Sequence, residues 1–150
     1  MRVLQCKIHG TVADNSPDPN THGEKTRQKI LRALDLLRPE PDPALDNLAR
    51  LAAEIARVPM AAISLTNSEA QFYKARHNWK PGTLPHGQSP CAVVTDLDET
   101  IVIEDLKKDE RFSGMAQMEV GDELRFYAGF PLRVDEISVG TLCVAHTQPH

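Results

Sequence analysis

RFYAGFPLRVDEISVGTLCVAH, residues Arg125–His146, is the stretch from which the fold can be read. Two β-prone alternating runs, Arg125–Val134 and Ile137–His146, flank Asp135-Glu136, which is a hairpin pattern. Asp-Glu is a poorer tight-turn pair than Asn-Gly or Asp-Gly. A two-residue turn fixes the register: Val134 faces Ile137, Leu132 faces Val139, Phe130 faces Thr141, Ala128 faces Cys143 and Phe126 faces Ala145. These pairs share one mostly apolar face, since successive strand side chains point to opposite sides. The other face carries Arg133/Ser138, Pro131/Gly140, Gly129/Leu142, Tyr127/Val144 and Arg125/His146. It is shallow in the middle, with Tyr, Arg and His at one end, and is expected to form a pocket floor.

The chain has 150 residues, one domain's worth, with 41% hydrophobic and 25% charged residues, an ordinary globular balance. A net charge of -4 provides no basic field for nucleic acid or a polybasic membrane anchor. No apolar run approaches the ~20 residues of a membrane span. Three distant cysteines, Cys6, Cys91 and Cys143, without CxxC spacing, argue against a disulfide framework and for a reducing cytoplasm.

Residues 1–23 read as a flexible lead-in, Pro-, Asn- and Gly-rich from Gly10 onward. A helix is expected over Glu24–Leu37, with Ile30, Leu31, Leu34 and Leu37 at helical spacing, until the Pro39/Pro41/Pro43 run stops it. A second helix starts with Asp42 as N-cap and Pro43 at its first position. Its stripe of Leu45, Leu48, Leu51, Ala52 and Ile55 is expected to be core, and Pro59 ends it. Strands are expected at Met60–Thr66 and Gln71–His77. A Gly/Pro-rich loop over 78–90 follows, then a short helix capped by Ser89 with Pro90 first. Thr100–Asp105 reads as a central strand, and 107–124 as irregular, with helical turns near Asp109–Phe112 and Met115–Val120. The order is that of an α+β domain with an antiparallel sheet.

The segments LARLAAEIARVPMAAISLTNSEAQFYKAR, SPCAVV, TIVIEDLKKDERF, RFYAGFPL and VGTLCV together resemble a GAF domain of the bacterial sensory type. The resemblance covers about Asp42–Gln148, within a domain expected over residues 24–148. It implies a PAS-like central antiparallel sheet of five to six strands, helices on one face and a loop-covered pocket on the other. The Tyr127 face becomes the pocket side and the Phe126 face the helix side. The implied role is a non-catalytic sensory or regulatory module that binds an unidentified small molecule and signals through homodimerisation. An output domain, such as a histidine kinase or cyclase, would be supplied by a partner or by further chain. Asp135-Glu136 and His146 depart from family habit, where Gly and Asp are common.

Phe72, Trp79, Cys91, Asp105, Arg125, Tyr127 and His146 are the candidate ligand-binding residues. Arg125 would clamp an anion, with Tyr127 and His146 orienting it; Trp79 would be a lid, or a plug of its loop. Asp105 reads equally as a structural carboxylate capping backbone amides. Cys91, early in a short helix, is either a reactive thiol or a small buried hydrophobe. Cys143 and His146 form CxxH, but residues three apart on a strand face opposite ways, which disfavours zinc. No cofactor is indicated. Among specialised GAF activities, cyclic-nucleotide binding lacks its Asn-Lys before Asp122-Glu123, and bilin attachment is disfavoured by Ala92 after Cys91. A free methionine-R-sulfoxide reductase using Cys91 would want an attacking cysteine within 115–125, where there is none. A ligand-free dimerisation scaffold is the third reading.

Overall fold

The computed structural model describes residues 21–38, 40–80, 83–86, 88–112 and 123–150. Three helices and six strands follow in the order α1 (His22–Ala33), α2 (Pro43–Ala56), β1 (Met60–Thr66), β2 (Ala70–His77), β3 (Thr83–Pro85), α3 (Pro90–Leu97), β4 (Ile101–Ile103), β5 (Phe126–Val134) and β6 (Ile137–His146). The strands form one sheet in the order β3-β2-β1-β6-β5-β4, every neighbouring pair antiparallel. This is the expected α+β architecture.

Local chemistry sets the helix starts. Thr21 accepts a hydrogen bond from the Glu24 amide, so α1 begins two residues before the expected Glu24. Asp42 Oδ1 accepts from the Ala44 and Leu45 amides, and Pro43 occupies the first turn where its missing N–H is harmless. Ser89 caps α3 by accepting from the Ala92 amide, with Pro90 following. At the other end of α2, Arg57 closes the helix in the left-handed conformation, ahead of Pro59.

α1 and α2 lie on one face of the sheet. Ala49 and Ala53 of α2 pack with Ala61, Ile63, Ala75, Phe126, Ala128 and Val144, and Leu31 of α1 packs with Leu65 and Val139. α3 and the segment after β4 cover the opposite face: Cys91, Val94, Leu106, Phe112 and Leu124 pack with Met60, Ala62, Tyr127, Cys143 and Ala145.

Four expectations are corrected. The hairpin turn does hold two residues, with Asp135 and Glu136 both at positive φ, and Val134↔Ile137 and Arg133↔Ser138 pair as expected. Beyond them Leu132 pairs with Gly140, leaving Val139 as a bulge, and every later partner is shifted by one: Tyr127↔Ala145, Ala128↔Val144, Gly129↔Cys143, Phe126↔His146. A shift of one residue exchanges faces. Cys143 and Ala145 therefore sit with Tyr127, and Val144 with Phe126. Next to the bulge, Gly140 permits a close approach to β1, because a Cβ there would collide with the Ser64 carbonyl oxygen.

In α2, Leu45 and Ala52 touch the core, whereas Leu48, Leu51 and Ile55 point away from it, Ile55 being 82% exposed. The alanines form the sheet-facing side because a small side chain lets the helix approach closely. The expected central strand is β4, shorter than Thr100–Asp105 and at the sheet edge beside β5 only. Within the expected Gly/Pro-rich loop, β3 adds a three-residue edge strand on β2. The helical turns expected at Met115–Val120 lie outside the described residues.

Candidate functional site

The α3-covered face is built in two halves. Side chains of Ser64, Thr66, Gln71 and Thr141 meet α3 residues Ser89 and Thr95 in a fully buried polar group. Ser89 Oγ donates to Gln71 Oε1. Thr141 Oγ1 and Thr95 Oγ1 both donate to the Cys91 carbonyl oxygen, at 2.9 and 3.0 Å. Thr66 Oγ1 and Gln71 Nε2, on residues that pair across β1 and β2, are buried and have no hydrogen-bond partner among the described residues. The second half is aromatic and thiol-bearing: Tyr127, Cys91 and Cys143, with Tyr73 and Trp79 packed against them, ring centroids 5.5 Å apart.

Tyr127 is the centre of this half. Its ring lies over Gly129, where a Cβ would strike the phenol and come within 2.8 Å of Val94 Cγ2. The shallow middle expected of the floor is thus occupied there by the tyrosine itself. Tyr127 Oη donates to Cys91 Sγ at 3.2 Å, and Cys91 Sγ lies 3.5 Å from Cys143 Sγ. Burial alone would raise the Cys91 pKa, but hydrogen bonds from Cys143, Tyr127 and Ser64 outweigh it and lower it. Cys143 goes the other way: its contact with Cys91 and its burial push it well above the ordinary thiol range. Burial, reinforced by the two cysteines, also holds the Tyr73 and Tyr127 phenols protonated far past their usual range.

The structure brings together only some of the sequence-predicted residues. Cys91, Tyr127 and Trp79 share the α3-covered face. Phe72 does not: it packs with Leu31, Leu65 and Val139 on the α1 side. His146 also leaves the group, because the bulge puts it on the face of Val144 and Phe126, and its Nδ1 accepts from the Gln148 amide at 2.9 Å. The expected convergence of Arg125, Tyr127 and His146 is therefore corrected. Arg125 clamps the chain's own Asp105, Nε and Nη2 donating to its two oxygens at 2.7 and 2.6 Å. Those bonds, with the Lys107 amide also donating, hold the Asp105 carboxyl at about 2. Asp105 does the structural work weighed for it, fastening the turn after β4 to the start of β5.

Four contributors carry no signal that assigns them to this site from sequence. Cys143 forms a CxxH spacing with His146 in sequence, and only the bulge places it beside Cys91 instead. Thr66 and Gln71 carry no motif. His86 lies at the edge of the polar half, with Nδ1 2.5 Å from the Asn67 carbonyl oxygen and Nε2 2.6 Å from Asp96 Oδ2. Two acceptors satisfy both ring nitrogens only in the imidazolium form. Burial opposes the charge, but bonding to Asp96 and Asn67 prevails and raises the His86 pKa. Asp96 also receives Arg27 of α1 at 3.2 Å, and Arg27 pairs with buried Glu24 at 2.9 Å and donates to the Ser138 carbonyl. The cluster ties α1, α3 and the β1–β2 turn together.

The chain is similar to several known proteins. A cyclic di-GMP phosphodiesterase of Pseudomonas aeruginosa is 27% identical over 132 residues, which are 87% of this chain but 22% of that protein; the chain spans about a fifth of that relative's length. The GAF domain of a phosphoenolpyruvate-protein phosphotransferase from Coxiella burnetii superposes with a TM-score of 0.62 at 16% identity, covering 85% of this chain and 81% of that one. Free methionine-R-sulfoxide reductase from Neisseria meningitidis, solved with its substrate, gives 0.55 at 14% identity, covering 86% and 78%. At such identities the structural likenesses establish the fold. The family model for the GAF domain matches residues 40–150, and with the sheet order, the α3-covered face and the two-residue hairpin in place, the chain belongs to the GAF domain family.

Proposed function

We propose that this chain is a sensory GAF module without catalytic machinery of its own, holding a small polar molecule against the β1–β2 side of its α3-covered face. The observation that carries this reading is the pair of orphaned polar atoms, Thr66 Oγ1 and Gln71 Nε2. A buried polar group left without a partner costs about 1–3 kcal/mol, and such groups are ordinarily satisfied by water or ligand. Tyr73 and Trp79, in the aromatic half of the same face, supply the apolar wall that a binding site also needs.

Signalling is read as running through a second copy and an output domain. Leu48, Leu51 and Ile55 form an exposed apolar ridge at helical spacing on α2, joined by exposed Leu34 and Leu37 after α1. A self-complementary helix face of this kind suits a homodimer. The regulated activity would be an output domain carried by further chain or by a partner, of the cyclic di-GMP phosphodiesterase kind that the Pseudomonas relative's name suggests, or a histidine kinase or cyclase.

The test is thermal unfolding across a library of polar metabolites, with native mass spectrometry for co-purified molecules. Binding is expected to raise Tm, and the paired change Thr66→Val with Gln71→Met is expected to abolish the rise. If no metabolite shifts Tm and none co-purifies, the ligand-free scaffold reading replaces this one, with Tyr127 as the filling. One observation favours the reductase reading, namely Cys143 standing where a resolving thiol could act on Cys91. Turnover of free methionine sulfoxide that vanishes in Cys91→Ser would establish it.

A further inference from the structure

We propose that Cys91 and Cys143 form an intramolecular disulfide when the protein meets hydrogen peroxide, making the thiol pair under α3 a site of reversible oxidation. The two residues are 52 positions apart in sequence, on α3 and β6, yet their sulfurs stand 3.5 Å apart. Both are fully buried among Ala62, Tyr127, Val94 and Met60, with no competing thiol in that cluster. A contraction from that separation to the ~2.05 Å of an S–S bond requires only a small approach of α3 toward the sheet.

The surroundings give the two sulfurs different jobs. Cys91 sits in the first turn of α3, and side-chain hydrogen bonds from Tyr127 and Ser64 reach its sulfur. Those donors favour its thiolate, the attacking form. Cys143 differs: its polar neighbours are the Cys91 sulfur and the Ala62 carbonyl oxygen, each at 3.5 Å, and its contact with Cys91 and its burial keep it protonated. Cys91 thiolate attacks one peroxide oxygen: an S–O bond forms, the O–O bond breaks, and the departing hydroxide takes up a proton to leave as water. The Cys143 sulfur then attacks the Cys91 sulfenic acid: the S–S bond forms, the S–O bond breaks, and a second water leaves with the Cys143 proton. Two thiols and one peroxide become one disulfide and two waters. Peroxide is small and uncharged, which suits a buried pair better than any protein or glutathione disulfide would.

The consequence is local. Closing the bond removes the thiolate that accepts from Tyr127 and draws the start of α3 toward β6, beside the polar half of the same face. The inference stands whether or not that face binds a metabolite.

The experiment uses the full chain carrying Cys6→Ser, which leaves this pair as the only thiols. The folded protein is treated with peroxide, quenched, denatured, alkylated with N-ethylmaleimide and weighed intact. The expected result is loss of both alkylation sites and of two hydrogens, a linked Cys91–Cys143 peptide, and full reversal by dithiothreitol. With Cys143→Ser added, dimedone should trap a sulfenic acid at Cys91; with Cys91→Ser instead, Cys143 should stay unlabelled. The proposal is overturned if both thiols alkylate fully after excess peroxide. Irreversible over-oxidation without a cross-link, a bond only between chains, or a bond that forms only in denaturant would overturn it equally.

Discussion

The two faces of the sheet are built on opposite principles. Under α2 the contacts are small and apolar, Ala49 and Ala53 against Ala61, Ala75 and Ala128. Under α3 the same sheet buries hydroxyls, an amide, a phenol and two thiols. Buried polar atoms lower stability unless bonded, so a face that keeps them, two still unpartnered, is shaped by something besides stability. In the proposed reading the first face is scaffold and the second holds the ligand.

That contrast can be broken or sharpened by substitution. The largest effect is expected at the seam between β6 and β1: Gly140→Ala, whose Cβ would collide with backbone rather than with a yielding side chain, should lower unfolding free energy by about 3 kcal/mol. Next, Ala53→Leu on the sheet-facing side of α2 should cost about 2 kcal/mol through overpacking, whereas Ile55→Ser on its outer side should stay within about 0.5 kcal/mol for the monomer. Urea unfolding at low protein concentration decides both, and equal effects would erase the distinction between alanine side and leucine side. In the dimer reading, light scattering should show Ile55→Ser weakening self-association.

On the other face, Tyr127→Phe should cost about 1 kcal/mol for one lost hydrogen bond. It should also raise the Cys91 pKa, slowing its reaction with iodoacetamide; unchanged thiol reactivity would show that Tyr127 only packs. The smallest effect is expected at the edge. The folded pKa of His86 lies above its ordinary 6.5, so its contribution is complete below that pH and fades as pH rises through the folded value. Asp96, Arg27 and Glu24 are the charges around it. Tm should therefore fall over that rise in wild type by more than in His86→Gln; parallel profiles would remove His86 as the titrating group.

Local signals in the sequence were reliable where the determinant is itself local. Asp42 and Ser89 cap because a side-chain oxygen reaches amides two or three residues on, and the Asp135-Glu136 turn shows as a break between alternating runs. The errors come from distant partners. Periodicity locates an apolar stripe on α2 but does not say whether it meets the sheet or solvent, and here the alanines won the sheet. The bulge at Val139 lies next to the close approach of Gly140 to Ser64 on another strand, which alternation within one hairpin does not contain. Phe72 and His146 were misplaced for the same kind of reason. The family resemblance conveyed the fold well, but the site residues it suggested were only partly gathered: Arg125 and Asp105 spend their charges on each other.

The bulge has one more consequence, best put as parity. A strand is a string of alternating assignments, and one surplus residue inverts all those that follow. Without Val139 as the odd residue out, Cys143 would lie among the alanines beneath α2 and Val144 would stand before Tyr127. No substitution of either cysteine is needed to separate them; drawing Val139 into the ladder opposite Leu132, so that no residue is bulged, would suffice. The proximity of the two sulfurs is thus a counting property of β6, and chains of this fold that keep both cysteines at this spacing from the turn but form no bulge would be expected to lack the pair.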